Sequence, residues 1–106
     1  MSKETTVTVK GSSQAAYSFD VYPWGTNFKA LGAVYLILKK TPTGTWVIIY
    51  IGQTEDLSCR FSDHHKQACF ECHGRTHIGV LIESFENKQL AVEADLIASY
   101  PTMCNG

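Results

Sequence analysis

Ala33-Val34-Tyr35-Leu36-Ile37-Leu38-Lys39-Lys40-Thr41-Pro42-Thr43-Gly44-Thr45-Trp46-Val47-Ile48-Ile49-Tyr50-Ile51-Gly52 decides the fold. Two apolar, β-branched and aromatic runs flank a short segment holding Pro42 and Gly44, which is turn chemistry. Joined so closely, they most simply form an antiparallel hairpin. Strict alternation puts Tyr35 on one face with Ala33 and Ile37. It puts Tyr50 with Trp46 and Ile48. Gly52 ends the second strand.

Upstream, Tyr17, Phe19 and Val21 alternate with Ser18, Asp20 and Tyr22, the period of a half-buried strand. Pro23 and then Gly25-Thr26-Asn27 break it. Residues 1–16 are small and polar, with Thr6-Val7-Thr8-Val9 the only alternation, so they read as an arm or a weak edge strand. Residues 17–106 read as one domain. Downstream, Thr54 can cap a helix that carries Glu55 and Asp56 in its first turn and Leu57, Phe61 and Ala68 on one side. Residues 69–76 read as a loop closed by Gly74, and His77 to Glu83 as a third core strand. Asn87 can cap a last helix that runs to Tyr100 and stops at Pro101. The class is α+β: a small, mostly antiparallel sheet of three core strands, with a further N-terminal strand allowed, flanked by helices.

At 106 residues the chain suffices for one hydrophobic core. Its 44% hydrophobic and 18% charged content argues against disorder. No apolar run approaches the roughly 20 residues of a membrane span. The start, Met-Ser-Lys-Glu-Thr-Thr, lacks a signal-peptide core, so the expected compartment is the cytoplasm. There the four cysteines, Cys59, Cys69, Cys72 and Cys104, are expected as thiols. A net charge of −1 argues against a protein that coats DNA electrostatically. Lys29, Lys39, Lys40, Arg60, Lys66, Arg75 and all the histidines nevertheless fall between residues 29 and 77.

One residue does not suit its place. At about 100° per residue, Leu90, Ala94 and Ile97 mark the centre of the last helix's apolar face. Glu93 falls between Leu96 and Ile97 inside that arc, whereas Asp95 lies on the polar side. A carboxylate turned inward needs a partner, either a metal ion or a cation such as Arg60.

Tyr50-Ile51-Gly52-Gln53-Thr54, followed by Asp56-Leu57, resembles the second signature segment of the GIY-YIG nucleases. Gly32 followed by Ala33-Val34-Tyr35 stands for the first, with Ala-Val-Tyr in place of Gly-Ile-Tyr. Arg60 follows Tyr50 by ten residues and His64 follows Arg60 by four, as on the family's first helix. Glu93 matches the metal-binding glutamate, and Asn105 follows it by twelve, after Tyr100-Pro101. The resemblance spans residues 32–106. It implies a metal-dependent endonuclease that hydrolyses phosphodiester bonds in DNA. Tyr35 and Tyr50 would handle the attacking water and its proton. Arg60 and His64 would contact the phosphate, and Glu93 would hold one Mg²⁺ or Mn²⁺. Asn105 would tie down the chain end. Lys39, Lys40, Gly52, Gln53 and Lys66 are the expected DNA contacts, with Gln53 where some members carry lysine. Specificity would come from residues 1–31, from a second copy or from a protein partner, or be absent. The alternatives are a nucleic-acid-binding module of the same fold without catalysis, or a Cys/His metal or redox protein. The last rests on Cys69-Phe70-Glu71-Cys72-His73, which has the C-x-x-C-H pattern of c-type haem attachment. Cys69, Cys72, His73 and His77 could instead ligate zinc.

Overall fold

The computed structural model describes residues 3–59, 61, 66–102, 104 and 105. Among them the elements are β1 (Thr5–Lys10), β2 (Ala16–Pro23), β3 (Ala33–Lys40), β4 (Trp46–Thr54), α1 (Gln67–Cys72), β5 (His77–Ile82) and α2 (Glu86–Ser99). The strands form one antiparallel sheet in the order β1-β2-β5-β3-β4. The fold is therefore α+β, as expected, but the sheet has five strands rather than three plus one. No described helix is long and apolar enough to cross a membrane.

The hairpin forms as its sequence dictates. Thr41 and Gly44 build the turn: the Thr41 N–H donates to the Thr45 carbonyl (2.9 Å), the Gly44 N–H donates to the Thr41 carbonyl (2.9 Å), and Gly44 takes φ +87°. β3 lies inside the sheet, and its first six residues are buried on both faces, which is why the run is apolar without alternation. Ala33, Tyr35 and Ile37 join one core layer with Ile78, Val80 and Phe70. Val34, Leu36 and Leu38 join the other with Phe19, Val21 and Leu96.

Strict alternation fails on β4. Ile37 pairs with Tyr50 but Leu38 pairs with Ile48, so Ile49 is an extra residue, a β-bulge. Beyond it the phase shifts. Trp46 and Ile48 stay with the α2 layer, whereas Tyr50 joins the layer of Tyr35 and Ile37. The expected grouping of Tyr50 with Trp46 and Ile48 is therefore corrected.

α2 is rotated from its expected orientation. Leu90 and Ile97 are 45% and 40% exposed, while Gln89 and Leu96 are fully buried, with Val92 and Tyr100 packed beside Leu96's cluster. Residues 89, 92, 96 and 100 form the buried stripe. A glutamine can sit there because its Nε2 donates to the Glu83 carbonyl at 2.6 Å. The helix begins at Glu86 after Phe85, so Asn87 is not its cap. The helix expected from Thr54 is also corrected. β4 runs through Thr54, whose hydroxyl accepts from the Asp56 N–H (3.1 Å), and Asp56 in turn accepts from the Ser58 N–H (2.9 Å). These side-chain bonds make turns rather than a helix start. α1 instead occupies Gln67–Cys72, part of the expected loop, and Gly74 at φ +74° ends it.

Residues 5–10 form a strand whose Val7 and Val9 pack into the α2 layer. Asp95, expected on the polar side, holds their hairpin. Its carboxylate accepts from the Ser13 N–H (2.8 Å), the Ser13 hydroxyl (2.6 Å) and the Tyr17 hydroxyl (2.7 Å). A Cβ on Gly11 would fall 2.1 Å from Asp95 Oδ2, so a side chain there would have to displace the carboxylate. The Ser13 hydroxyl, then the Tyr17 hydroxyl, hold the Asp95 carboxyl below its ordinary pKa, and the bond to Asp95 raises that of Tyr17. A depressed carboxyl pKa contributes stability above the unfolded value that is lost as pH falls through the folded one. A raised phenol pKa contributes stability that is lost at high pH. Protection of the Gly11–Ser13 amides, relative to an unstructured chain at the same pH, should therefore fall below about pH 4 and again above about pH 10. Asp95→Ala should lower it at neutral pH as well. Unchanged exchange by NMR in that variant would refute the clamp.

Candidate active site

The bulge at Ile49 builds the site. By turning Tyr50 over, it brings the Tyr50 and Tyr35 rings onto one face, with centroids 6.0 Å apart and planes 31° apart. Tyr35 is fully buried and Tyr50 is 8% exposed. Tyr35 pairs across the strands with Gly52. A Cβ there would lie 2.6 Å from Tyr35 Cζ and from its hydroxyl, and 2.7 Å from Tyr50 Cε2. Gly52 thus ends up beneath both phenols, and its missing side chain is what lets them converge. Phe61 meets the Tyr35 ring edge-on at 5.0 Å, and Phe70 of α1 lies 5.2 Å from Tyr50.

β4 is the sheet's edge, and the chain end closes it. The Cys104 N–H donates to the Ile49 carbonyl (3.1 Å). Asn105 imitates a neighbouring strand: its Oδ1 accepts from the Ile51 N–H and its Nδ2 donates to the Ile51 carbonyl, both at 2.8 Å. The Thr102 hydroxyl also donates to Asn105 Oδ1. Only a side-chain amide offers acceptor and donor in this geometry. Asn105→Ala should cost about 1–2 kcal/mol, since each such bond contributes about 0.5–1.5 kcal/mol net. Asn105→Asp should be no better, because its carboxylate faces the Ile51 carbonyl. Urea denaturation reads both, and an Asn105→Ala midpoint equal to wild type would refute the clamp.

The remaining candidates are spread out. Glu93 is half-buried on α2, one turn from the fully buried Gln89 and Leu96. α2 covers the layer opposite the tyrosines and packs chiefly on β4. Gln53 follows Gly52 on β4, half-buried. Lys39 and Lys40 lie at the other end of the hairpin. Lys40 pairs with Trp46, six residues from Gly52, or roughly 20 Å at strand rise. Its ammonium sits 5.6 Å from the centre of the Trp46 ring. These two lysines and Gln53 are therefore not brought together. Lys66 precedes α1 and is half-buried. Arg60 and His64 lie outside the described residues.

The expected zinc quartet does not assemble. His77 is held elsewhere: its Nε2 lies 2.9 Å from Glu4, its Nδ1 2.7 Å from the Thr76 hydroxyl, and its ring 4.9 Å from Trp46. Cys72 is an exposed free thiol. Cys69 and Cys104 are joined as a disulfide, against the expectation of four thiols, while Cys59 and Cys72 form no disulfide.

The sequence reading missed an aromatic cluster beside the tyrosines. Trp24, Phe28 and Phe61 line an open cleft of about 170 Å³ together with Thr26, Asn27 and Leu57. Arg75 stacks on Trp24, its guanidinium carbon 3.9 Å from the ring centre. The signal was the aromatic pair flanking Gly25-Thr26-Asn27, which the turn chemistry obscured. Comparison of the chain with protein-family models, with curated proteins and with solved structures returns no match.

Proposed function

We propose that this chain is a metal-dependent endonuclease of the GIY-YIG type, hydrolysing phosphodiester bonds in DNA. One observation carries the reading: Tyr35, Tyr50, Gly52 and Asn105, each singled out by the sequence resemblance, converge on the same strip of β4.

In this mechanism Tyr50, the less buried phenol, faces the attacking water, and Tyr35 behind it relays the proton. A phenol with a pKa near 10 accepts a proton at neutral pH only if a cation favours its phenolate. By the resemblance, Arg60 would supply that charge and a forked donor to the non-bridging phosphate oxygens. His64 would add a hydrogen bond to the same phosphate. Glu93 is the residue that would hold Mg²⁺ or Mn²⁺. A single half-buried carboxylate suits such hard cations, which complete their shells with water and phosphate oxygens. When bound, the cation neutralises charge on the leaving oxygen.

Gln53 in place of the lysine that some members carry, with a net charge of −1, favours one second reading, a nucleic-acid-binding module that does not cleave. The test is incubation of the full chain with single-stranded, duplex and branched DNA in Mg²⁺, Mn²⁺ or EDTA. Cleavage with metal and none in EDTA is expected. Binding without cleavage in every condition would overturn the nuclease reading in favour of the module.

A further inference from the structure

We propose that the reduced chain binds one zinc ion through Cys69, His73 and Cys104. This site is independent of the nuclease reading. The donor atoms of these three residues all lie within 4.8 Å of one another. Cys69 and His73 are four residues apart across the end of α1, and so lie on one side of it. Cys104 arrives from the other end of the domain, 35 residues on.

Two separate anchors hold the donors together. α1 is fixed by Phe70, which is fully buried and packs on Tyr50 and Trp24. Cys104 is fixed by its own N–H on Ile49 and by the Asn105 amide on Ile51. Neither anchor depends on the sulfur–sulfur bond. When that bond is reduced, the two thiols stay beside each other and beside the imidazole.

Two thiolates and an imidazole are the donor set that zinc prefers over magnesium or calcium. With Zn–S near 2.3 Å and Zn–N near 2.0–2.1 Å, tetrahedral donors stand about 3.3–3.8 Å apart. The sulfurs need only separate from bonding distance to that spacing, within the space already shared with His73. Cys104 is 1% exposed, while Cys69 and His73 are half-buried. The ion would therefore sit at the protein surface with its fourth position open to water. The C-x-x-C-H pattern drew attention to the right loop but to the wrong second cysteine: Cys104 replaces Cys72, and His77 has no part.

Zinc and the disulfide exclude one another. A small-molecule disulfide oxidant takes two electrons from the two zinc-bound thiolates. The Cys69–Cys104 bond forms, the oxidant's own S–S bond breaks to two thiolates, and Zn²⁺ leaves. Either state cross-links α1 to the chain end that carries Asn105, so both keep the β4 edge closed next to Tyr50.

The test uses the full chain, reduced with a phosphine and freed of metal. Titration with Co²⁺ should give thiolate-to-cobalt charge-transfer absorption saturating at one equivalent. Zn²⁺ should displace the cobalt, as read by a chromogenic chelator. Cys69→Ser and Cys104→Ser should lose the charge-transfer band or reduce it by half, and His73→Ala should weaken binding. Cys72→Ser and His77→Gln should bind as wild type does. His73→Ala leaves the core untouched, so it decides the question even if a cysteine variant misfolds. Oxidised glutathione added to the zinc form should release the metal and close the Cys69–Cys104 disulfide. No uptake by the reduced chain, uptake unaffected by His73→Ala, or uptake that requires Cys72 would each overturn the site.

Discussion

Gly52→Ala should destabilise the protein by about 2–3 kcal/mol, the upper part of the range for overpacking a core. The added methyl would lie 2.6 Å from Tyr35 Cζ and 2.7 Å from Tyr50 Cε2, well inside contact distance. Neither ring has easy room to give way. Tyr35 is fully buried with Phe61 against it, and Tyr50 lies between Tyr35 and Phe70. For a chain of this size the loss corresponds to a fall in Tm of roughly 10–20 °C. If the nuclease reading holds, cleavage should drop about 100-fold even well below the Tm, because an ångström of displacement at reacting groups carries that effect. Gly44→Ala separates the two consequences. Gly44 also has positive φ (+87°), but nothing lies within 4 Å of where its Cβ would be. It should cost about 1 kcal/mol of backbone strain and leave cleavage intact. Thermal melts and cleavage rates of both variants check this. A Gly52→Ala protein that melts with wild type would mean that the tyrosines do not converge over Gly52.

What could be read from the sequence was whatever depends on neighbours in the chain. The β3–β4 hairpin was legible because two apolar runs and a Pro/Gly turn each specify it locally. The bulge at Ile49 was not, because one extra residue inside Val47-Ile48-Ile49-Tyr50-Ile51 leaves the run just as apolar while reversing every face after it. α2 was legible as a helix but not in its rotation. Its buried stripe contains Gln89, which is admitted by a hydrogen bond to Glu83, a residue from outside the helix. The first strands were half-legible. The alternation of Val7 and Val9 allows a strand, but the Asp95 clamp that fixes its hairpin spans more than 80 positions. The cysteines follow the same rule. Cys69 and Cys72 are near in sequence, yet it is Cys104 that meets Cys69, because the chain end returns along β4. Within the candidate site, Tyr50, Arg60, His64, Glu93 and Asn105 were named only through the resemblance of their spacing to a family pattern. The reason Tyr35 and Tyr50 meet lies in the bulge.

Glu93→Gln should abolish metal-dependent cleavage. Glu93 keeps its place toward the buried side of α2 even though the helix is rotated: at about 100° per residue it stands about 40° from Gln89 and about 60° from Leu96, both fully buried. Its original landmarks, Leu90 and Ile97, are exposed, and Glu93 itself is half-buried. Glutamine keeps the size and the hydrogen-bonding capacity, and a neutral amide is cheaper to bury than a carboxylate, so the fold should persist. It removes the negative charge that a hard divalent cation requires. A metal ion contributes several kcal/mol to stabilising charge in the transition state. Its loss corresponds to roughly a 10²–10⁴-fold fall in rate. Cleavage rate against Mg²⁺ concentration for the two proteins decides the matter, with circular dichroism to confirm that both are folded. A rate that stays low in Glu93→Gln at every Mg²⁺ concentration supports the assignment. Equal rates at equal Mg²⁺ would remove Glu93 from the mechanism, and the single-metal scheme with it, while leaving the phenol pair over Gly52 to be explained by another chemistry.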